Sequence, residues 1–138
     1  MSKGTLPRAP AENWQEQRGE WIEAVEQIVA EVESWAAKRG WWVERELKDV
    51  SDDEDRIGTY QVPMLRIQTA NSRLIFEPIA RYVVGARGRV DLAVFPSYHS
   101  LAMVRRDDGW RIVDDANRST AWSEKAFVKA AAYLAGKA

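Results

Sequence analysis

The sequence predicts an α+β fold in which an N-terminal helix and a C-terminal helix pack on one face of a mostly antiparallel meander sheet of about six strands. Apolar residues first recur every three to four positions, as in a helix with one buried side. From Gly40 to Asp114 the period changes to two, and short turn sequences separate the segments. A helical period returns near the C-terminus. Because short links between strands form hairpins, the sheet is expected to be antiparallel.

The first predicted helix covers residues 11–39. Its apolar stripe consists of Trp21, Ile22, Val25, Ile28, Val29, Val32, Trp35 and Ala36. Lys38 and Arg39 suit the negative end of a helix, and Gly40 suits the left-handed position that follows it. A straight helix of this length would measure about 43 Å, which is longer than a domain of this size is wide. We therefore expect a break near Gly19.

Six segments alternate as strands do. They are Trp41–Lys48, Ile57–Thr69, Arg73–Val84, Arg89–Phe95, Ser100–Arg106 and Trp110–Asp114. Residues 49–55 are expected to form an acidic loop. Pro63 indicates a bulge or an edge position, and Pro78 interrupts the third strand. Asp108 and Gly109 predict a type I′ hairpin turn.

The last predicted helix begins at a capping residue, either Thr120 or Ser123. Its apolar positions are Phe127, Ala130, Ala131 and Leu134. Residues 1–10 contain Gly4, Pro7 and Pro10 and are predicted to be a flexible tail, so that 11–138 forms one domain.

The hairpin turns imply a register for strands three to six, and this register divides their side chains between two faces. The predicted core face carries Val90, Leu92, Val94, Leu101, Met103 and Ile112. The other face carries Ile75, Ile79, Val83, Ala93, Ala102, Val104 and Val113, mixed with Glu77, Arg81, Arg89, Asp91, Arg106 and Arg111. We expect Arg81 and Asp91 to lie opposite each other as a cross-strand ion pair.

Composition excludes several classes of protein. The chain has 138 residues, one His and no Cys, which rules out disulfide frameworks, thiolate nucleophiles, Cys-ligated zinc and the HExxH zincin motif. Hydrophobic residues make up 46% of the chain, which argues against global disorder. No apolar run approaches the length of a membrane span, and residues 1–8 lack a signal-peptide region. We therefore expect a cytoplasmic protein without membrane contact.

Charge is divided unevenly along the chain. Residues 1–55 have 7 basic and 14 acidic side chains, a net −7, whereas residues 56–138 have 13 basic and 7 acidic ones, a net +6. All ten basic residues between Arg56 and Arg118 are Arg, whose planar fork suits carboxylate or phosphate. This pattern favours either an anion-binding sheet face or neutralisation between an acidic helix and a basic sheet.

Tryptophan is abundant, with seven residues. Trp21, Trp35 and Trp110 are expected in the core. Trp41 and Trp42 are adjacent on a strand and must point to opposite faces, so that one of them is a candidate for exposure, as are Trp14 and Trp122. Exposed Trp is typical of interfaces and of stacking platforms.

The motifs that suggest catalysis are incomplete. Glu46-Leu47-Lys48 matches part of a metal-dependent nuclease, but the required Asp on a preceding strand is absent. The acidic loop lacks the spacing of a Ca²⁺-binding EF-hand. His99 is interpreted as a surface residue in a turn, because no Gly-x-Ser-x-Gly element accompanies it. Residues 85–88 are interpreted as a turn. No catalytic residue, metal or cofactor is indicated.

Three functional hypotheses remain. The first is a non-catalytic interaction module that docks a protein partner, or a second copy of itself, through the Arg-bearing face and nearby Trp42. The second is nucleic-acid binding by the same face, although the net charge of −1 opposes it. The third is a small-ligand carrier or enzyme with a pocket between sheet and helices and with Glu77 or Asp91 as a buried acid.

Overall fold

The computed structural model describes residues 11–52, 58–81 and 86–138, with the backbone alone for residues 11–14 and 52. The bounds of its elements are α1 Ala11–Lys38, β1 Trp42–Asp52, β2 Gly58–Gln68, β3 Arg73–Ala80, β4 Arg89–Val94, β5 Ser100–Arg106, β6 Gly109–Val113, β7 Ser119–Ala121 and α2 Glu124–Ala135. The α+β class and the order of helix, sheet and helix are thus confirmed, with seven strands instead of about six. The predicted tail lies outside the described residues.

Helix α1 continues through Gly19, so the predicted break is wrong. Its 28 residues span about 42 Å at the usual rise per residue. A Cβ added at Gly19 would meet no heavy atom within 4 Å, so the helix surface is open at this point. A glycine at such a site costs only about 1 kcal/mol relative to alanine. Burial of Trp21, Val25 and Ile28 further along the helix outweighs that cost.

The seven strands are arranged in chain order, and each pairs antiparallel with the next. Strand β1 is longer than predicted, because Asp49, Val50 and Ser51 pair with β2 instead of belonging to a loop. The segment 49–55 is rich in acidic residues, and the alternation typical of a strand was therefore not recognised in it. Strand β3 ends at Ala80 instead of Val84, and residues 82–85 lie outside the described part of the chain.

The two strand prolines behave differently. The register between β3 and β4 shifts between Pro78 and Ala80, which confirms the predicted interruption. Pro63, by contrast, pairs with Leu47 in an unbroken β1–β2 register, so no bulge forms there. The β2–β3 pairing covers only residues 65–68 of β2. Because proline has no N–H, it is tolerated where a strand side is unpaired.

The hairpin between β5 and β6 occurs where it was predicted, but its turn differs from type I′. Arg106 pairs with Gly109, so Asp107 and Asp108 are the central residues. Among the described residues, positive φ outside glycine occurs only at Tyr98 and Asn117, whereas type I′ needs it at both central positions. Gly109 itself has φ of 111°.

One hydrophobic cluster lies between the two helices and the sheet. The predicted core residues of β4, β5 and β6 are all buried there, which confirms the register of these strands. Trp21 is buried, and Trp35 and Trp110 pack against the cluster as expected. Trp122 also packs against it, with its ring stacked 6.1 Å from Phe76, so its predicted exposure is wrong.

Short strand β7 was missed, because three residues are too few to show alternation. Thr120 belongs to this strand, and Ser123 is the capping residue of α2, where its hydroxyl accepts the N–H of Ala126 at 3.1 Å. The predicted apolar face of α2 is buried in full. Lys38 of α1 binds Glu124 at 2.8 Å and so connects the two helices.

Candidate functional site

The sheet has one face that is directed away from α1 and α2, which we call the open face. On β4 to β6, alternation assigns residues to it, because the neighbours of each core residue point the other way. In the middle of this face Asp91 lies opposite both Glu77 and Ala102. Its half-buried aliphatic residues are Ile75, Ala93, Ala102 and Val113. The predicted Val83 lies outside the described residues, and Ile79 is 41% exposed beside the β3 bulge.

The charges at the centre of the open face are paired within the chain. Arg89 binds Asp91 through two hydrogen bonds, of 2.7 and 3.1 Å. This carboxylate raises the pKa of the Arg89 guanidinium. Lys48 of β1 binds the Glu77 carboxylate at 2.9 Å and donates to the carbonyl of Pro78 at 2.8 Å. Glu77 and Asp91 therefore do not line a pocket between sheet and helices, and that part of the third hypothesis is wrong.

Arg81 does not belong to the open face. The bulge after Pro78 turns the following residues over, and Arg81 is buried, at 7% exposure. Its guanidinium donates to the Gln17 side chain of α1 at 3.3 Å. The predicted ion pair between Arg81 and Asp91 is consequently wrong, since Asp91 pairs with Arg89 instead.

Arg105, which is adjacent to the predicted Arg106, also faces the helices. It binds Glu20 of α1 at 3.1 Å. This hydrogen bond, together with the nearby charges of Arg87 and Arg81, lowers the pKa of Glu20. The basic sheet and the acidic helix thus neutralise each other in part. This is one of the two interpretations of the uneven charge given above.

Arg111 and Arg106 lie toward the β6 side of the open face. Arg111 contacts Asp108 at 3.3 Å and donates to the Ser119 hydroxyl at 3.0 Å. Arg106 is exposed, and it forms no ion pair with the part of the chain that the structure describes. Most of the predicted arginines therefore already have an acidic or polar partner.

At the opposite corner the open face is aromatic and exposed. Trp42 of β1 is 56% exposed, and Tyr98 is 62% exposed. A cavity of about 260 Å³ lies beside Trp42 and is also lined by Arg66, Arg73 and Phe95. We call Trp42, Arg66, Arg73, Phe95 and Tyr98 the Trp42 corner.

Contacts within the Trp42 corner hold its aromatic rings and cations in place. The Tyr98 and Phe95 rings form a T-shaped pair with their centroids 4.7 Å apart, and the Arg73 guanidinium lies 5.8 Å from the Phe95 centroid. Arg66 binds Glu46 at 2.5 Å, and this carboxylate raises the pKa of Arg66. Arg73 forms no ion pair with the described residues, so its charge is available to a ligand.

A second cluster was missed in the sequence and joins three distant residues. His99 Nε2 lies 2.7 Å from Asp115 Oδ2, and the Tyr133 hydroxyl donates to the same oxygen. The hydrogen bonds from Tyr133 and His99 lower the pKa of Asp115, and Asp115 in turn raises the pKa of Tyr133. His99 was interpreted as an isolated surface residue, because nothing in the sequence connects it with residues 16 and 34 positions later.

A groove lies next to this cluster, between α2 and strands β5 to β7. Its volume is about 410 Å³, which lies within the usual range of ligand pockets. Its floor is apolar, with Leu101, Ile112, Ala126 and Ala130. Its polar lining consists of Asp114, Asp115, Arg118, Thr120, Lys129 and Tyr133. We call this space the α2 groove.

Two features found in other binding proteins are absent from the described residues. Within residues 11–52, 58–81 and 86–138, no three His, Asp or Glu side chains converge as metal ligands do. In the same ranges, neither helix combines the length and apolarity needed to cross a bilayer.

Comparison with known proteins leaves the function to be inferred from these surfaces. No protein family matches the sequence, and no curated protein or solved structure is significantly similar to the chain.

Proposed function

We propose that this chain is a non-catalytic protein-interaction module, and that its Trp42 corner binds an acidic segment of a partner protein that also has an apolar side chain. The observation that supports this most directly is the exposed Trp42 beside a cavity that contains Arg73. Trp, Tyr and Arg are the residues that most often dominate the energy of protein interfaces. All three occur together at this corner.

The chemistry of the corner determines the class of partner. The rings of Trp42 and Phe95 line a cavity large enough for a partner's aliphatic or aromatic side chain. Arg73 lies above Phe95 and has no acidic partner among the described residues. A carboxylate of the bound segment would therefore form an ion pair with Arg73. Burying the Trp42 indole removes a large apolar surface from water.

The pairing of charges on the open face counts against the nucleic-acid hypothesis. Phosphate binding needs several cations that are free to replace counterions. Arg89, Arg66 and Lys48 are each bound to a carboxylate of this chain. A protein partner is therefore favoured over a phosphate backbone.

The test is selection of displayed random peptides on the immobilised chain, followed by titration of the enriched peptides. We expect enriched sequences to combine Asp or Glu with an aromatic or aliphatic residue. Their affinity should fall about thirtyfold or more with Trp42→Ala, as for an interface hot spot, and should also fall with Arg73→Glu. The matched control is Arg106→Glu, an exposed arginine at the far side of the same face, which should leave the affinity unchanged.

Two results would contradict the proposal. One is the enrichment of peptides whose binding does not change in Trp42→Ala and Arg73→Glu. The other is tight binding of a single-stranded oligonucleotide that weakens steeply between about 50 and 200 mM salt, as the nucleic-acid hypothesis requires.

The α2 groove supports a second candidate function, the binding of a small molecule with an apolar body and one anionic group. The apolar floor would hold the body, and Lys129 at the rim would meet the anion. Ligand-observed NMR with a set of aromatic carboxylates tests this directly. Binding that disappears in Lys129→Glu supports it, and the absence of binding at millimolar concentration excludes this ligand class.

A further inference from the structure

Strand β1 forms one edge of the sheet and is unusually long for an edge strand. Its 11 residues pair with β2 along one side only. No strand among the described residues pairs with the other side. Long exposed edges readily pair with another chain, and natural proteins shorten or interrupt them for this reason. An exposed edge of this length is therefore a candidate for pairing with a strand of another chain.

Hydrogen bonding in the neighbouring hairpin shows which backbone groups of β1 are available. The N–H of Thr69 donates to the carbonyl of Ser72 at 2.9 Å, in the turn from β2 to β3. Backbone groups of successive strand residues point to opposite sides. The odd-numbered residues of β2, including Pro63, thus point toward β3. Leu47 lies opposite Pro63, so its own N–H and C=O point to the free side of β1.

The side chains of β1 complement a second copy of the same strand. Leu47 is 63% exposed, more than expected for an aliphatic residue in the middle of a strand. In an antiparallel pair of β1 strands centred on Leu47, Glu46 lies opposite Lys48 of the other copy. Arg45 lies opposite Asp49. Because Arg45 is already bound to Glu26 and Glu33 of α1, at 2.8 and 2.6 Å, this second pair adds little. Opposite charges placed directly across a strand pair stabilise it.

No other register centred within residues 45–49 suits both the charged side chains and the outward-directed backbone groups. Centring the pair on Arg45, Glu46, Lys48 or Asp49 places that charged residue opposite its own copy, which is destabilising. Centres that fall between two residues would match a backbone group directed outward with one directed inward. Leu47 is therefore the one centre in residues 45–49 that satisfies both the backbone and the charges.

We infer that the chain forms a twofold symmetric dimer in which the β1 strands of two copies pair antiparallel, with Leu47 opposite Leu47. The two sheets then become one continuous sheet. Glu46 and Lys48 keep their partners Arg66 and Glu77 within the chain, and each gains an opposite charge across the new strand pair. Trp42 lies at the end of the strand pair, opposite Asp52 of the other copy, and Arg66 keeps its ion pair with Glu46, so the dimer interface borders the proposed partner site.

Sedimentation of the full chain over a concentration series tests the dimer. The wild type should dimerise, and Leu47→Asp should weaken the dimer about tenfold or more, because two carboxylates would lie opposite each other at the twofold axis. Leu47 is 63% exposed within the chain, so the fold should tolerate the change. The control is Ile79→Asp, which makes the same kind of substitution at an exposed residue away from β1 and should leave the dimer intact.

The register is tested by a disulfide, since the chain has no cysteine. Leu47→Cys places two sulfurs at the twofold axis, where the Cα atoms of a hydrogen-bonded pair are about 5.5 Å apart. Under mild oxidation this variant should form a covalent dimer rapidly. In the control Trp42→Cys the two cysteines would be about 33 Å apart, and crosslinking should be slow.

Three results would overturn the inference. They are a wild-type chain that remains monomeric at about 1 mM, equal crosslinking of the two cysteine variants, and a dimer that is insensitive to Leu47→Asp. The last result, combined with loss of the dimer in Trp42→Ala, would indicate that copies associate through the open face instead.

Discussion

Replacing Gly88 with alanine should destabilise the protein strongly, although only one methyl group is added. Gly88 precedes β4, and its carbonyl accepts the N–H of Arg105 at 2.9 Å. Its backbone has φ of 152°, a value that residues with a side chain rarely adopt. The six-membered ring of Trp21 lies directly against it, at the position where a Cβ would stand.

The loss of unfolding free energy in Gly88→Ala follows from the distances around Gly88. The added Cβ would lie 2.2 Å from Cζ3 and 2.8 Å from Cη2 of Trp21. Non-bonded carbons rest about 3.5–4.0 Å apart, so the indole would have to move by more than an ångström. Trp21 is 1% exposed, and its ring lies 6.3 Å from that of Trp110, which leaves it little room. Overpacking and the disfavoured φ together should cost about 2–6 kcal/mol.

Equilibrium urea unfolding, followed by tryptophan fluorescence and far-ultraviolet circular dichroism, measures this cost. The matched control is Gly19→Ala, the same substitution in the open part of α1, where an added Cβ meets nothing within 4 Å. This variant should be more stable than the wild type by about 1 kcal/mol. The reasoning is refuted if Gly88→Ala loses less than about 1 kcal/mol, or if both variants shift in the same direction.

Two further predictions concern α2 and the cluster beside it. Ser123→Ala removes the acceptor of the Ala126 N–H and should cost about 1 kcal/mol in thermal unfolding, whereas Ser123→Gly should cost only a few tenths. Because Tyr133 and His99 lower the pKa of Asp115 below its ordinary value of 3.8, the stability that Asp115 contributes is present above that pH and is lost as the pH falls further. Urea midpoints at about pH 5 and about pH 3 should therefore differ less in Asp115→Asn than in the wild type; equal differences would contradict this role of Asp115.

The core face of the sheet could be predicted from the sequence because short turns determine its register. The link between Arg106 and Gly109 contains two residues, so β5 and β6 can pair in few ways. Alternation then places Met103 and Ile112 on the same side, where the structure has them opposite each other and buried. Trp42 was recognised as a candidate for exposure by the same alternation, since it is adjacent to Trp41.

The site was less predictable, because it depends on one irregular residue and on contacts between distant segments. A single extra residue at the Pro78 bulge moves Arg81 from the open face to the helix side. The alternation of apolar and polar residues does not reveal such a shift, because both kinds of residue occur before and after the bulge. His99, Asp115 and Tyr133 come from three separate elements, and only the packing of α2 against the sheet brings them together.

The arrangement of strands in chain order has a consequence for the kinetics of folding. Every strand pair joins neighbours in the sequence, so each hairpin can close over a short loop with a small loss of chain entropy. The contacts that span most of the chain join α1 to the C-terminal part of the chain. They include Glu20 with Arg105 of β5, Glu31 with Trp122, and Lys38 with Glu124 of α2. Proteins with mainly local contacts fold faster than β proteins with distant strand pairing. Docking of α1 against the C-terminal part of the chain, rather than pairing of the strands, is the step that must wait for distant segments to meet.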